Sequence, residues 1–327
     1  ISSYPLIHTL LPGIPFKFMK IEIVKEKFLE AITVAERIAG KHVSLPVLSS
    51  IVIESKKDEV VIRATNLDVG VEIFLPAKVL KEGVVALSGS LLKAFLTNTF
   101  SGKNVLCEMN ESVFKVSVGS NEAIFNTVSF EDFPMIPRIK DGKKFVIGAK
   151  DFLSGLKSVL WSASVSTIKP ELSSVYVYEE NDDLVFVSTD SFRLAEKKIK
   201  MKKIKGIDPM LIPFKNSLEI VRVFELFNGD LDITVSKNQL SIIADNIHLS
   251  SRVVDGNFPD YRQIMPKEFV TEATILKQDL AQILKLSGIF ADNFNQVTVS
   301  FNPTQKTVEI FTKNNEVGES RQTIKGV

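Results

Sequence analysis

Asp190 and Ser191 stand side by side, and with His248 they supply the residue types of a nucleophilic triad. In such a triad an imidazole takes the proton of a serine hydroxyl while a carboxylate orients the ring. Ser191 sits in no Gly-x-Ser-x-Gly turn, the device that lifts a nucleophile off a sheet, so the spacing argues against acyl transfer. Glycine-lysine pairs occur at Gly40-Lys41, Gly102-Lys103 and Gly142-Lys143. None has the preceding glycine and following Ser or Thr with which a loop cradles phosphates, so ATP binding of that kind is not expected. Glu131-Asp132 and Asp182-Asp183 fall in expected turns and read as solvated loops. His8, His42 and His248 are the only histidines and Cys107 is the only cysteine. No metal-ligand spacing results, no internal disulfide can form, and a reducing cytoplasm suits the chain. His42, beside Lys41, reads as a surface residue, and Trp161, near the end of an apolar helix, reads as core. No catalytic residue, metal or cofactor is expected.

The elements that hold these residues repeat. ATNLDVGVEI (64–73), STDSFRLAEKKI (188–199) and FTKNNEVGESRQTI (311–324) read as one design, a strand ending in threonine and a polar turn before a second strand. Thr65, Thr189 and Thr312 are spaced by 124 and then 123 residues. Phe133-Pro134 and Phe258-Pro259 are separated by a similar step of 125. Within each unit an alternating strand leads into a helix with apolar residues at i, i+3 and i+4, and several strands follow. KIEIVK precedes EKFLEAITVAERI, whose Phe28, Leu29, Ile32 and Ala35 make one stripe. Helices are expected over 25–38, 89–98, 150–164, 215–227 and 277–287. The fold class is therefore α+β, with two copies of a strand-helix-strands module in each domain.

Pro-rich stretches near 137–142 and 266–269 mark the boundaries. The expected domains are 19–139, 140–266 and 267–327, the last holding only the first half of its unit. Residues 1–18, with prolines at 5, 12 and 15, suit neither a transmembrane helix nor a signal peptide. They read as a non-native leader ahead of a start at Met19.

Forty basic against thirty-nine acidic residues give a net charge of +1, which neither suggests nor excludes nucleic acid. The five expected helices carry ten Lys or Arg and seven Asp or Glu, an excess of +3. That is a weak polarisation in the direction expected of helices facing phosphates.

SLPVLSSIVIE, ATNLDV, FEDFP, KPELSSV, TDSFRLAEKKI and VDGNFPDYRQIMP resemble, in order and spacing, the beta subunit of bacterial DNA polymerase III, the sliding clamp. The resemblance runs from Met19 to Val327, and the TDxxRL segment followed some sixty residues later by FPDYR is its most specific part. It implies a crescent of domains with helices on one face of antiparallel sheets, closed head to tail with a second copy into a ring around duplex DNA. A ring holds DNA by topology, so phosphate contacts can stay weak and permit sliding, and a near-neutral chain suits that. It implies DNA contacts at Lys41, Ser166 and Lys215. It also implies an apolar pocket for short motifs of the polymerase III catalytic subunit, the clamp loader and repair polymerases. Leu172, Thr189, Phe192, Arg193, Leu194, Pro259 and Ile264 match that pocket. The family's usual Gly-His before Arg-Leu is Ser191-Phe192 here, which puts its motif preference in doubt. By position Phe125 and Leu286 fall at the ring-closing interface. The alternatives to a DNA-encircling clamp are a peptide-binding scaffold that encloses no DNA and, with least support, a serine hydrolase.

Overall fold

The computed structural model describes residues 18–40, 45–100, 102–201 and 206–325. Alternation in FMKIEIV builds β1 (Phe18–Val24), which buries Met19, Ile21 and Ile23. The strand thus opens one residue before Met19. Helix α1 (Lys25–Ile38) follows without a break and buries Phe28, Ala31, Ile32, Ala35 and Ile38 along one stripe. β2 (Ile51–Lys56), β3 (Glu59–Thr65) and β4 (Val69–Pro76) complete the first module. The short β5 (Lys78–Lys81) leads to the second module, with β6 (Gly83–Leu87), α2 (Gly89–Asn98), β7 (Asn104–Asn110), β8 (Val113–Val118) and β9 (Asn121–Asn126).

The pattern recurs with β10 (Lys143–Gly148), α3 (Ala149–Val159), β11 (Ser174–Glu180), β12 (Asp183–Thr189) and β13 (Leu194–Lys200). It recurs again with β14 (Met210–Pro213), α4 (Phe214–Phe224), β15 (Asp230–Ser236), β16 (Gln239–Ala244) and β17 (Ile247–Arg252).

Modules exchange their opening strands. β1 pairs with β7 of the second module while β6 pairs with β2 of the first, and β10 with β15 and β14 with β11 repeat the exchange. Neither module of such a pair completes its sheet alone. Across the domain boundary β17 pairs antiparallel with β4, which makes one eight-stranded sheet in the order β10-β15-β16-β17-β4-β3-β2-β6. That continuity is why the described residues up to Phe258 form one compact unit.

The second compact unit begins at Pro259. It carries α5 (Lys277–Ile289), β18 (Thr298–Asn302), β19 (Thr307–Asn314) and β20 (Gly318–Lys325). The strand expected at its start is missing: residues 271–276 are irregular. The strands that open the earlier units, β1 and β10, are held by pairing with β7 and β15.

Thr312 departs from its expected role for a related reason of geometry. Side chains alternate faces along a strand, so a step of 123 in place of 124 puts it on the opposite face from Thr65 and Thr189. It lies inside β19, not at its end, and its hydroxyl donates to Ser287 O of α5 at 3.2 Å. Ser188, inward-facing on β12, makes the matching bond to Val159 O of α3.

Where α3 crosses β12 the packing leaves no spare volume. A Cβ on Gly155 would stand 2.4 Å from the Phe186 ring, itself packed edge-on against Phe152 at 5.7 Å between centroids. Alanine favours helix over glycine by about 1 kcal/mol. Overpacking costs about 1–3 kcal/mol and should win. Gly155→Ala is therefore expected to lower the urea midpoint, and an unchanged or higher midpoint would refute the contact.

Candidate functional site

The segment TDSFRL closes the β12-β13 hairpin, in which Thr189 pairs with Leu194. Thr189 Oγ1 accepts from Ser191 N at 3.1 Å and donates to Arg193 O at 2.8 Å. Asp190 Oδ1 accepts from the backbone N–H groups of Phe192 and Arg193, both at 3.0 Å, and its Oδ2 accepts from Arg193 Nε at 3.0 Å. Burial raises the Asp190 carboxyl, but the bonds from Arg193 and Phe192 outweigh it and leave the group below the ordinary aspartate value. Ser191 is held at φ +78°, in the left-handed region. The turn thus stands Phe192 out to solvent, 98% exposed, with the half-buried Leu194 behind it.

The same device is built at Thr65 to Val69. Thr65 Oγ1 accepts from Leu67 N at 3.0 Å and donates to Val69 O at 2.9 Å, Asn66 Oδ1 accepts from Asp68 N and Val69 N, and Leu67 has φ +76°. The repeat read from the sequence is therefore a repeat of hydrogen bonds, in the first two units.

On the face of the sheet shared by Thr189 and Leu194, Tyr176 stacks against Tyr178 and Phe258, each at 4.9 Å. Tyr176 and Phe258 line a cleft of about 370 Å³ with Leu211 and Val254. Sequence reasoning missed this aromatic group, although Tyr176 and Tyr178 at alternate positions of one strand share a face. Leu172 is buried at the base of a folded-back loop, where its carbonyl accepts from Ser164 N at 2.8 Å. Pro259 and Ile264 belong to the second unit. There Pro259 O accepts from Tyr261 N at 2.8 Å, and Ile264 lies exposed at the end of a 3-10 turn over Tyr261–Ile264.

Ser166 and Lys215 are exposed, and Lys41 and His42 lie outside the described residues. Trp161 is not core: it is 66% exposed and meets Phe214 edge-on at 6.2 Å. α3 ends at Val159, and the 3-10 turn Leu160–Ser162 rotates the indole off the buried stripe. Phe125 is half-buried against Phe95 of α2, centroids 6.0 Å apart, and Leu286 is 41% exposed on α5.

Four of the ten helical cations are paired locally. Lys27 pairs with Glu30, Lys93 with Glu36, Lys157 with Glu225 and Arg222 with Glu219. Lys25 and Arg37 donate to the backbone carbonyls of Thr99 and Arg222, and neither these two nor Lys150, Lys215, Lys277 and Lys285 make an ion pair among the described residues.

His248 lies on β17, paired with Glu72 of β4 across the domain boundary. Its Nδ1 is 3.1 Å from Glu72 Oε2 and its Nε2 is 3.1 Å from Ser241 Oγ. Serine, histidine and glutamate stand at triad distances, yet Ser241, His248 and Glu72 are all buried. Glu72 is also committed elsewhere, accepting from Arg63 Nε at 3.0 Å and from Arg138 Nη2 at 2.7 Å. Arg63 in turn pairs with Glu54. The cluster is a weld between domains, and a substrate could not reach the hydroxyl. Among the described residues no three His, Cys, Asp or Glu side chains gather as a metal site. No described helix is long and apolar enough to cross a membrane.

Comparison with known proteins agrees with this architecture. The family model of the DNA polymerase III beta subunit N-terminal domain matches residues 19–137, and that of the central domain of the same subunit matches 147–260. The Beta sliding clamp of Staphylococcus aureus is 22% identical over 315 residues, covering 94% of this chain and 83% of its own length. The crystal structure of the DNA polymerase sliding clamp from Bacillus subtilis superposes with a TM-score of 0.84 at 23% identity, covering 94% of this chain and 84% of that one. A C. crescentus beta sliding clamp, described with PEG bound to a putative beta-motif tethering region, also superposes at 0.84, with 20% identity and coverage of 94% and 84%. With both domain models matched in order along one chain whose sheets join as described, the chain belongs to the DNA polymerase III beta subunit family, the beta sliding clamps.

Proposed function

We propose that the chain is the subunit of a non-catalytic ring that encircles duplex DNA and tethers the replicative polymerase and other replication and repair proteins. The observation that carries this is the β17-β4 seam. One domain's sheet continues into the next with a fixed register, and the last strands of the series remain edges that further copies can extend. A closed ring needs no strong phosphate contact, and a chain whose net charge is only +1 favours sliding over adhesion. Ser166 and Lys215, with Lys41, are the proposed DNA contacts, and cytoplasm at the nucleoid is the proposed location.

Leu172, Thr189, Phe192, Arg193 and Leu194, with Pro259 and Ile264, are proposed to take short partner motifs from the polymerase III catalytic subunit, the clamp loader and repair polymerases. A short peptide buries little area, so affinity must come from a few anchors on a pre-formed surface. The Thr189 and Asp190 hydrogen bonds support pre-formation of the turn that carries Phe192 and Arg193.

The test is retention on nicked circular DNA after loading by the clamp loader. Protein that survives high salt on circles and leaves on linearisation is the expected result. Loss from circles at high salt, with loading verified, would overturn encirclement and leave a scaffold.

A further inference from the structure

We infer that the cleft walled by Tyr176 and Phe258 takes an aromatic side chain from a partner segment that runs on from the motif held at the turn between Thr189 and Leu194. This rests on the reading of that turn as a motif-binding site.

The assignment comes from comparing the second domain with the first. In the first, Val52 pairs with Ala86 across β2 and β6, and Ala86 bridges to Val128. In the second, Tyr176 pairs with Leu211 across β11 and β14, and Leu211 bridges to Val254. The bridging bonds match as well, Val128 N donating to Ala86 O and Val254 N to Leu211 O, both at 2.9 Å. Two residues on from the bridged valine stands Phe130 in the first domain and Gly256 in the second. Phe130 packs with Phe133 against Val52, Val84 and Ala86 and closes that place. Gly256 brings no side chain, and the cleft of about 370 Å³ lies beside it. The first domain thus shows what the second lacks, one aromatic ring.

The walls suit such a ring. Phe258 lies nearly parallel to Tyr176, at 8° between planes, so the two form one flat apolar wall. Lys237 and Asp255, paired at 3.4 Å and both exposed, make a polar rim. An apolar socket inside a polar rim is where a single aromatic anchor contributes most to an interface.

Position selects a partner segment as the occupant. Tyr176 pairs with Val187, two residues before Thr189 on β12. That is one diagonal step across an antiparallel pair, about 7–8 Å, which an extended chain covers in about three residues. A peptide already anchored at the turn reaches the cleft intramolecularly, so a modest contact there adds to affinity.

Gly256→Phe supplies the missing ring from the chain itself. A Cβ at 256 meets only Leu211 at 3.5 Å and Val254 at 3.8 Å, both ordinary contacts, so the substitution has room. Its urea midpoint should not fall, and Gly256→Leu serves as a smaller plug. Fluorescence anisotropy on the whole chain compares a labelled peptide from the clamp-binding segment of the polymerase III catalytic subunit with versions extended at either end by Gly-Ser-Gly-Phe or Gly-Ser-Gly-Ala. At one end the phenylalanine version is expected to bind about fivefold tighter than the alanine version. Both Gly256 variants should abolish that gain and bind the unextended peptide as wild type does. Equal affinities of the two versions at both ends would overturn the cleft assignment and leave the motif site intact. A gain that persists in both Gly256 variants would put the ring elsewhere and overturn it too. Failure of the unextended peptide to bind wild type would remove the motif site, and the extension with it. Loss of self-association on plugging, read by sedimentation velocity, would make a second copy the occupant and overturn the assignment to a partner segment.

Discussion

Glu72→Ala is expected to destabilise the first unit by about 3 kcal/mol, near the low end of the roughly 3–5 kcal/mol that follows when one member of a buried ionic group is removed. The cost arises because Arg63 and His248 are left beside an empty site at the domain boundary. It stays near the low end because Arg63 keeps Glu54, His248 keeps Ser241, and Arg138 is exposed enough to rehydrate. The pH dependence carries the same signature. Burial pushes the Glu72 carboxyl up, but hydrogen bonds from His248, Arg63 and Arg138 and the Arg138 charge overcome it and hold the group at about 2, against 4.5 unperturbed. A carboxyl depressed on folding stabilises the fold above its unfolded value and loses that contribution as pH falls through the folded value. Between pH 4.5 and 2 the wild type should therefore lose about 3 kcal/mol that Glu72→Gln does not lose. Urea titrations at several pH values measure this. Parallel pH curves for the two proteins would show that the weld contributes nothing.

Glu72 also shows where reading the sequence stops. A glutamate in the apolar strand VGVEIFLP, an arginine in EVVIRAT and a glutamate in IVIESK were visible as charges in strands that should be buried. Their pairing was not, since the partners Arg138 and His248 stand 66 and 176 residues away and meet Glu72 only once β17 adds to β4. What depends on local periodicity was legible. Helices expected over 25–38 and 89–98 have those bounds, and the fifth runs two residues beyond 277–287. What depends on a one-residue phase was not. Thr312 kept the look of the repeat while facing the other side of its strand, and Trp161 left the buried stripe because a 3-10 turn replaced one turn of helix. The turn at Thr189 was found by its residue types, whereas its hydrogen bonds, which fix how Phe192 and Arg193 are presented, needed coordinates.

Those bonds carry the second large effect. Asp190→Ala is expected to weaken binding of a partner motif about tenfold or more while costing only about 1 kcal/mol of stability, because the freed N–H groups of Phe192 and Arg193 can turn to water. Affinity falls further than stability because Ser191 is held in a left-handed conformation worth about 1–2 kcal/mol of strain, and without Asp190 the turn relaxes out of it. Asp190→Asn separates this from a simple loss of charge. The twin turn uses Asn66 to accept from Asp68 N and Val69 N and holds Leu67 in the same left-handed conformation. An amide oxygen at 190 should therefore keep the turn, giving up only the charge on Arg193, and affinity should stay within about threefold of wild type. Fluorescence anisotropy with a labelled peptide from the clamp-binding segment of the polymerase III catalytic subunit reads both. If Asp190→Ala bound like wild type, the turn would not be part of the pocket. If Asp190→Asn failed as badly as alanine, the carboxylate charge, and not the geometry it sets, would be what the partner recognises.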